Sequence, residues 1–405
     1  MVNNPESNNL KQSYLKIFLR FLKFGFLAWG GPVAQIAMIR EELVEQEKWV
    51  TGEHFNRTLA IYQALPGPEA HELCVFFGMV AGGRWGGFLA GLGFMLPGFL
   101  LMLLFSWIYL QFGISDPTFN AVFKGFQAAV IALIFFAVHR IGKHALSNKA
   151  LLAIAILSAF ASLLKAPFYL VLPVASLLYV LAAKGKRILA ILLGAILIAF
   201  SIYTFSQTNR SLKKADNVPA NRQISRPVKT EAAKLLGSGL KAGLLTFGGA
   251  YTAIPFVQED AVERNGWLSN EQFLDGIALS GILPAPLIIF STFVGFLAGG
   301  WLGAILMTIG VFLPAFSFTL IGHNYLERII QNKGTHHFLD GMTAGVVGLI
   351  AVTALELFRT TITSWQAVLI FAGSWLLLYT VKGKGTVVLV ILGSGLAGFL
   401  WHLFS

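Results

Sequence analysis

Roughly thirteen runs of this chain are apolar over 15 to 28 residues: 14–31, 55–82, 85–112, 119–140, 150–164, 167–183, 187–205, 235–249, 273–299, 301–323, 338–358, 364–380 and 386–404. A helix needs about 20 apolar residues to cross a bilayer core. No water is available there to bond exposed amides, so runs of this kind fold as helices. The charges are bunched between them. Asp, Glu, Lys and Arg make up 12% of the 405 residues, about half the ~25% of a soluble domain, and mean hydropathy is +0.71. A soluble globular enzyme, a disordered chain and a disulfide scaffold are excluded. The sequence describes an all-α polytopic membrane protein.

The net charge of +11 does not point to nucleic acid, because the basic residues lie between apolar runs rather than on one periodic face. Loops facing an anionic cytoplasmic leaflet account for them. The single cysteine, Cys74, rules out a disulfide framework and a cysteine metal site. Residues 1–13 are polar and lack a signal peptide's cleavage pattern, so the first run is expected to stay in the membrane. Glycine, 42 of 405, exceeds the usual ~7%, as close helix packing in lipid requires.

The chain repeats itself. Shifting residues 23–68 by 218 positions lays them on 241–286 with 16 of 46 identical, Gly30/Gly248, Gly31/Gly249, Trp49/Trp267, Pro66/Pro284 and Pro68/Pro286 among them. Beyond a small gap the match continues through Trp85/Trp301 and Pro97/Pro314. The layout is therefore a first repeat, 1–205, a polar basic linker, 206–234, and a second repeat, 235–405. Seven runs precede the second copy, and an odd number predicts inverted repeats. With a cytoplasmic N-terminus, inside stretches hold 16 basic residues and short outside loops six, which agrees. The linker's seven basic residues would then lie outside. They favour a parallel repeat if runs five to seven cross an even number of times. Runs five and six are short, meet at Lys165-Ala166-Pro167, and suit a hairpin; run three is long enough to kink at Pro97.

Each repeat opens with an interrupted helix, at Gly30-Gly31-Pro32 and at Gly248-Gly249. Glycine pairs permit helix-breaking angles and Pro32 suits a new first turn. A restarted helix offers free N–H groups and the positive end of its dipole to an anion; close packing or a kink is the plainer role. A second interruption follows at Pro66-Gly67-Pro68 and Pro284-Ala285-Pro286, where two prolines one residue apart forbid a continuous helix. Discontinuous helices at matching places in two repeats mark a binding site.

Glu69 follows the first proline pair within an apolar span, where a carboxylate costs roughly 2.5–3.5 kcal/mol on insertion scales. It reads equally as a proton carrier and as a helix cap; the second copy has Leu287 there. His71 and Glu72 are expected near the membrane edge. The stretches 40–49 and 258–267 read as acidic interfacial helices ending in an anchoring tryptophan. Arg40, two turns past the first break, is a candidate for greeting an anion, with uncharged Gln258 as its counterpart. Lys23 and Lys241 are candidates too, with snorkelling as the plainer role. His336-His337 have no ligand at metal spacing, so no metal site is expected. No Walker loop, dinucleotide fingerprint or nucleophile elbow is present, so neither a cofactor nor an enzyme activity is expected.

Together these motifs resemble the chromate ion transporter family in its long, two-half form. FGFLAWGGPVAQIAMIREELVEQEKW, LPGPEAHEL and GGRWGGFLAGLGFMLPG carry the likeness in the first half. LLTFGGAYTAIPFVQEDAVERNGW with its continuation to PAPL, GWLGA and FLP carry it in the second. The likeness spans 15–110 and 235–320, about half the chain. It implies transport of chromate across the bacterial cytoplasmic membrane, outward, giving chromate resistance. Gly30, Gly31, Pro32, Pro66, Gly67, Pro68 and Glu69 fall in the family's GGP and PGPE stretches. Ala285 departs from it, standing where a Pro-Gly-Pro would have glycine.

Chromate and sulfate are both tetrahedral dianions suited to amides at helix starts. Carrying two negative charges out of a cell at about 100 mV gains roughly 4–5 kcal/mol, so outward carriage needs no ATP. The expected protein is a secondary carrier of a chromate- or sulfate-type oxyanion in the lipid bilayer, with a homodimer left open. Competing readings are a sulfate carrier, a passive anion channel, and a membrane-embedded enzyme acting on lipid head groups.

Overall fold

The computed structural model describes residues 12–113, 116–214, 232–322, 333–381, 383 and 385–404. In chain order the helices are α1 (Tyr14–Phe26), α2 (Gly31–Arg40), α3 (Gly52–Ala64), α4 (Glu69–Ile108), α5 (Pro117–Ala145), α6 (Lys149–Leu163), α7 (Phe168–Ala183), α8 (Arg187–Lys214), α9 (Ala232–Leu244), α10 (Ile254–Gln258), α11 (Asn270–Gly281), α12 (Phe290–Ser317), α13 (Lys333–Thr361), α14 (Trp365–Thr380) and α15 (Thr386–Phe404). Among the described residues, six helical stretches are long and apolar enough to cross a bilayer, and three apolar helices are shorter. The chain is a multi-pass membrane protein. It divides into one unit of residues 1–136, 228–327 and 357–405 and another of 137–227 and 328–356.

In the larger unit the interrupted helices turn out to be hairpins. Along one straight helix Glu42 would lie about 28 Å beyond Lys23, yet Lys23 Nζ is 3.5 Å from Glu42 Oε1 and Arg20 Nη1 is 2.6 Å from Glu47 Oε1. So α2, prolonged by a π-helical turn at Glu41–Gln46, doubles back along α1. In the second repeat Lys241 Nζ meets Asp260 Oδ1 at 2.7 Å, with Glu259–Arg264 as the matching π turn. The stretches 40–49 and 258–267 are thus the returning arms of hairpins. Trp49 is 4% exposed, against Phe77 and under the Arg20 guanidinium.

The second interruption of each repeat is the tip of another hairpin. α3 folds back on the start of α4, with Phe55 against Phe77 and Tyr62 against Phe76; α11 folds back on the start of α12, with Phe273 against Phe290. Runs 14–31, 55–82 and 273–299 therefore do not cross as single helices. Within α4 the chain reverses at Gly82 (φ −151°) and Gly83 (φ 63°), and α12 reverses at Gly299 (φ −150°) and Gly300 (φ 63°). The legs close tightly because Gly78 and Gly86 each face the other's carbonyl, as do Gly295 and Gly303. The reversal thus falls where runs two and three adjoin, and the kink expected at Pro97 is not seen, since Pro97 sits in regular helix.

Equivalent legs of the two repeats run antiparallel. Gly87 packs on Leu320 and Gly91 on Phe316, so position rises along α4 as it falls along α12. Within this unit the repeats are inverted, as the odd number of preceding runs predicts. The first tip of each repeat reaches the proline of its own leg: Gly25 touches Pro97, and Gly243 touches Pro314. Pro97 lies about 20 Å of helix from the Gly82-Gly83 turn, halfway along a leg that spans the membrane.

In the smaller unit α6 and α7 form the expected short hairpin. They pack with α13 around Leu151, Ile154, Ala175, Leu178 and Ala344. Lys165, at the turn with φ 58°, pairs with Glu356 at 2.9 Å. Helix α8 extends to Lys214, so the stretch read as linker begins helical; 215–231 lie outside the described residues.

The two arm-locking pairs differ in exposure. Lys241 and Asp260 are 17% and 7% exposed, against 60% and 25% for Lys23 and Glu42. Breaking a buried pair strands a charge at about 3–5 kcal/mol, whereas an exposed pair contributes about 0–1 kcal/mol. Asp260→Asn is expected to lower the melting temperature of the detergent-solubilised protein by several degrees, and Glu42→Gln to leave it nearly unchanged.

Candidate functional site

A contrast in capping singles out the hairpin tips as the candidate site. Several helices that begin away from the hairpin tips are closed by side chains: Ser13 accepts from the Lys16 N–H, Thr51 from His54, Ser364 from Ala367, and Ser269 forms a capping box with Gln272, whereas α7 starts uncapped after Pro167. Helical starts at the four tips have no side-chain cap. They follow Gly30, Pro68, Gly249 and Pro286. Amides at helix starts go unbonded unless something else reaches them, so the tips keep donors that the outer ends spend on serine and threonine.

The tips of one repeat meet those of the other. The Gly67 N–H donates to the Thr246 carbonyl at 2.9 Å, and Pro66 bridges antiparallel to Phe247. At the related junction the Gln35 amide takes over: its Nε2 donates to Ala28 O at 2.9 Å and to Ala285 O at 3.1 Å. Four chain breaks, two from each repeat, are thus tied in two crossed pairs near mid-membrane depth. Gly30 (φ 87°), Gly31 (φ 78°), Gly248 (φ 78°) and Gly249 (φ 115°) all hold left-handed angles, which cost other residues roughly 1–2 kcal/mol each.

Ala285 fits through an exchange of methyl groups. Gly67 packs on the Ala315 methyl, and the Ala285 methyl packs on Gly98. Gly67 and Ala285 are repeat equivalents, as are Gly98 and Ala315. Each tip therefore meets the other repeat's leg through one glycine and one alanine, with the methyl on the leg in one contact and on the tip in the other.

The candidates divide between the tips and the arms. Gly30, Gly31, Pro32, Pro66, Gly67, Pro68, Gly248, Gly249, Pro284, Ala285 and Pro286 are all at the tips. Glu69, 8% exposed, opens α4 with its Oε1 3.9 Å from where a Cβ on Gly249 would stand. Lys23 and Lys241 pair with arm carboxylates. Arg40 Nε bonds Glu45 Oε1 at 3.0 Å, its guanidinium over the Phe55 ring. Lys23 and Lys241 brace hairpins, whereas the Arg40 ion pair lies within its own arm.

His71 and Glu72 are not at the membrane edge. Both are 0% exposed: His71 lies against Phe312 and Phe316, and Glu72 sits behind Gly67. The expected edge placement is overruled by the hairpin, which turns this part of α4 into the interior. Two further polar residues were missed. Gln35 carries no charge and sits in an unremarkable apolar stretch. Asp275 accepts from Tyr109 Oη at 2.7 Å and Gln127 Nε2 at 2.9 Å; a lone carboxylate in FLDGIALSG was the available signal.

Two inverted copies, joined tip to tip at broken helices, define the architecture of a membrane carrier. The chromate transporter family profile matches residues 15–199 and 233–399, and the chain belongs to that family. It is 52% identical to a chromate transport protein of Pseudomonas aeruginosa over 96% of this chain and 92% of that one. It is 28% identical to a chromate transport protein of Cupriavidus metallidurans, covering 95% and 92%. An uncharacterized transporter of Methanocaldococcus jannaschii is 30% identical, covering 98% and 95%. No solved structure matches.

The methyl exchange has a direct check. Gly98→Ala sets two methyl groups against each other and is expected to destabilise by about 1–3 kcal/mol. Adding Ala285→Gly recreates the Gly67–Ala315 pattern and should restore most of the loss. A double-mutant cycle on melting temperature reads the coupling; additive losses would show that the contact does not matter.

Proposed function

We propose that this chain is a secondary carrier of chromate, with the dianion held by amides at the uncapped hairpin tips. The observation that supports the proposal is convergence: four helical starts without a side-chain cap, two from each repeat, meet at the hairpin tips. Amide donors and helix dipoles favour anions without a fixed lysine or arginine, and a tetrahedral dianion offers oxygens in several directions. The relatives' names supply chromate as the substrate to test first.

In this proposal Pro66, Gly67 and Pro68 meet Gly248 and Gly249 in one pair of tips, and Gly30, Gly31 and Pro32 meet Pro284, Ala285 and Pro286 in the other. Glu69 stands beside the Gly249 turn, where its charge state governs the approach of an anion. Lys23, Lys241 and Arg40 act on the site only through the hairpin arms. Residues 1–205 and 235–405 work as one unit, with 206–234 as tether. The direction is outward, along the membrane potential, and no reaction is assigned to the chain.

Chromate and sulfate counterflow by the purified protein in vesicles of set potential tests this. Saturable chromate counterflow, faster with a negative interior on the cytoplasmic side, is expected. Sulfate counterflow without chromate would transfer the proposal to sulfate, and unsaturable flux would favour a channel. Gly31→Leu adds a sharper check. A Cβ on Gly31 meets nothing within 4 Å, so leucine enters open space at the break. Counterflow is expected to vanish while stability falls by only the strain of a positive φ, about 1–2 kcal/mol; wild-type counterflow would sink the tip as binding site.

A further inference from the structure

The tips present an electrostatic puzzle. Residues 27–34, 65–72, 245–253 and 283–290 contain two carboxylates, Glu69 and Glu72, and neither lysine nor arginine. A dianion seated there meets like charge. Glu72 sharpens the conflict. It is 0% exposed, and neither of its carboxylate oxygens has a hydrogen-bond partner among the described residues. Its Oε1 lies so close under the Leu65–Pro68 tip that a Cβ on Gly67 would stand 2.8 Å away.

The groups around it offer no counter-charge. Glu69 lies one helical step away on the same face, at the i, i+3 spacing that makes neighbours on a helix. Tyr62 faces it from α3. α12 presents Ala315 to the tip, and the His71 ring is turned to Phe312 and Phe316. An ionised carboxylate without donor or counter-charge is among the costliest groups to bury, whereas a neutral acid is tolerated. The second repeat has Leu287-Ile288-Ile289-Phe290 at the corresponding place, so one tip pair carries an acid and its partner does not.

We propose, building on anion carriage at the tips, that Glu72 is an internal proton site that is filled when the anion is seated and emptied when it leaves. On emptying, the Glu72 side chain turns to within reach of Glu69, its O–H bond breaks and the proton bonds to a Glu69 carboxylate oxygen. From Glu69, which is the more exposed of the two, it passes to water. Refilling retraces the path. With its proton, Glu72 removes one negative charge from beneath the tip; without it, the tip repels a second anion. Binding therefore weakens as pH rises through the titration of Glu72, because the protonated form is the one that admits the dianion.

The test uses the full-length protein in vesicles with a trapped pH dye, together with infrared difference spectra on chromate addition. The wild type is expected to move protons with chromate and to gain the C=O stretch of a protonated carboxylic acid on binding. E72Q, neutral at every pH, should keep chromate–chromate counterflow, lose proton movement and lose the infrared change. Its counterflow should vary with pH less than that of the wild type, and chromate's own titration is common to both. E69Q should keep the infrared signal but slow its appearance, and E72D should restore the acid band. Proton movement that survives in E72Q, or a wild-type spectrum without a carboxylic change on binding, would overturn the proposal. Absent chromate counterflow in the wild type, together with a carboxylic band that appears on sulfate addition and is lost in E72Q, would sink the chromate reading while upholding Glu72 as the anion-linked proton site.

Discussion

Backbone freed from a helix within a membrane has only protein to bond, and the central architecture of this molecule answers that constraint. Each repeat breaks its chain twice and satisfies part of each break with the other repeat. Gly67 donates to Thr246, and Gln35 spans the carbonyls of Ala28 and Ala285. Neither junction can be built from one copy. The glycine pairs, the proline pairs and the close legs follow from it, because each brings bare backbone to a place where another chain segment can meet it.

The two junctions are alike in plan and unlike in chemistry. One is a direct backbone bond and the other runs through a side-chain amide whose counterpart in the second repeat is Ala253. The tip acids occur in one copy only. The arm pair of the second repeat is buried, while that of the first is largely exposed. Duplication supplied the scaffold, and divergence placed the ionisable groups on one side of it. A carrier that must open alternately to two compartments has a use for halves that match in shape and differ in charge.

Much of this was legible in the sequence, and what escaped has a physical reason. Apolar runs, the repeat and all four breaks follow from local rules, because Gly-Gly and Pro-x-Pro forbid a helix wherever they stand. Hydropathy cannot say whether a chain goes on or turns back after a break. Run 55–82 therefore read as one crossing, and the acidic stretch after Arg40 as an interfacial helix. The same blindness placed Glu72 at an edge: its burial depends on the α3–α4 hairpin and on α12, more than two hundred residues distant. Gln35 was invisible because its partners are backbone carbonyls, which leave no trace in composition. Inversion was readable from an odd count of runs, although the linker's basic residues argued the other way.

The methyl exchange at Gly67–Ala315 and Ala285–Gly98 bears on how such a protein is inherited. Each tip is shaped to the opposite copy's leg, so a substitution in one half changes the fit that the other half must supply. The halves are bound to evolve as a matched lock and key. A lone half would leave its bared turns against lipid until it met a sister inserted the other way up. Fusing the two into one chain secures that opposed pairing in every molecule made.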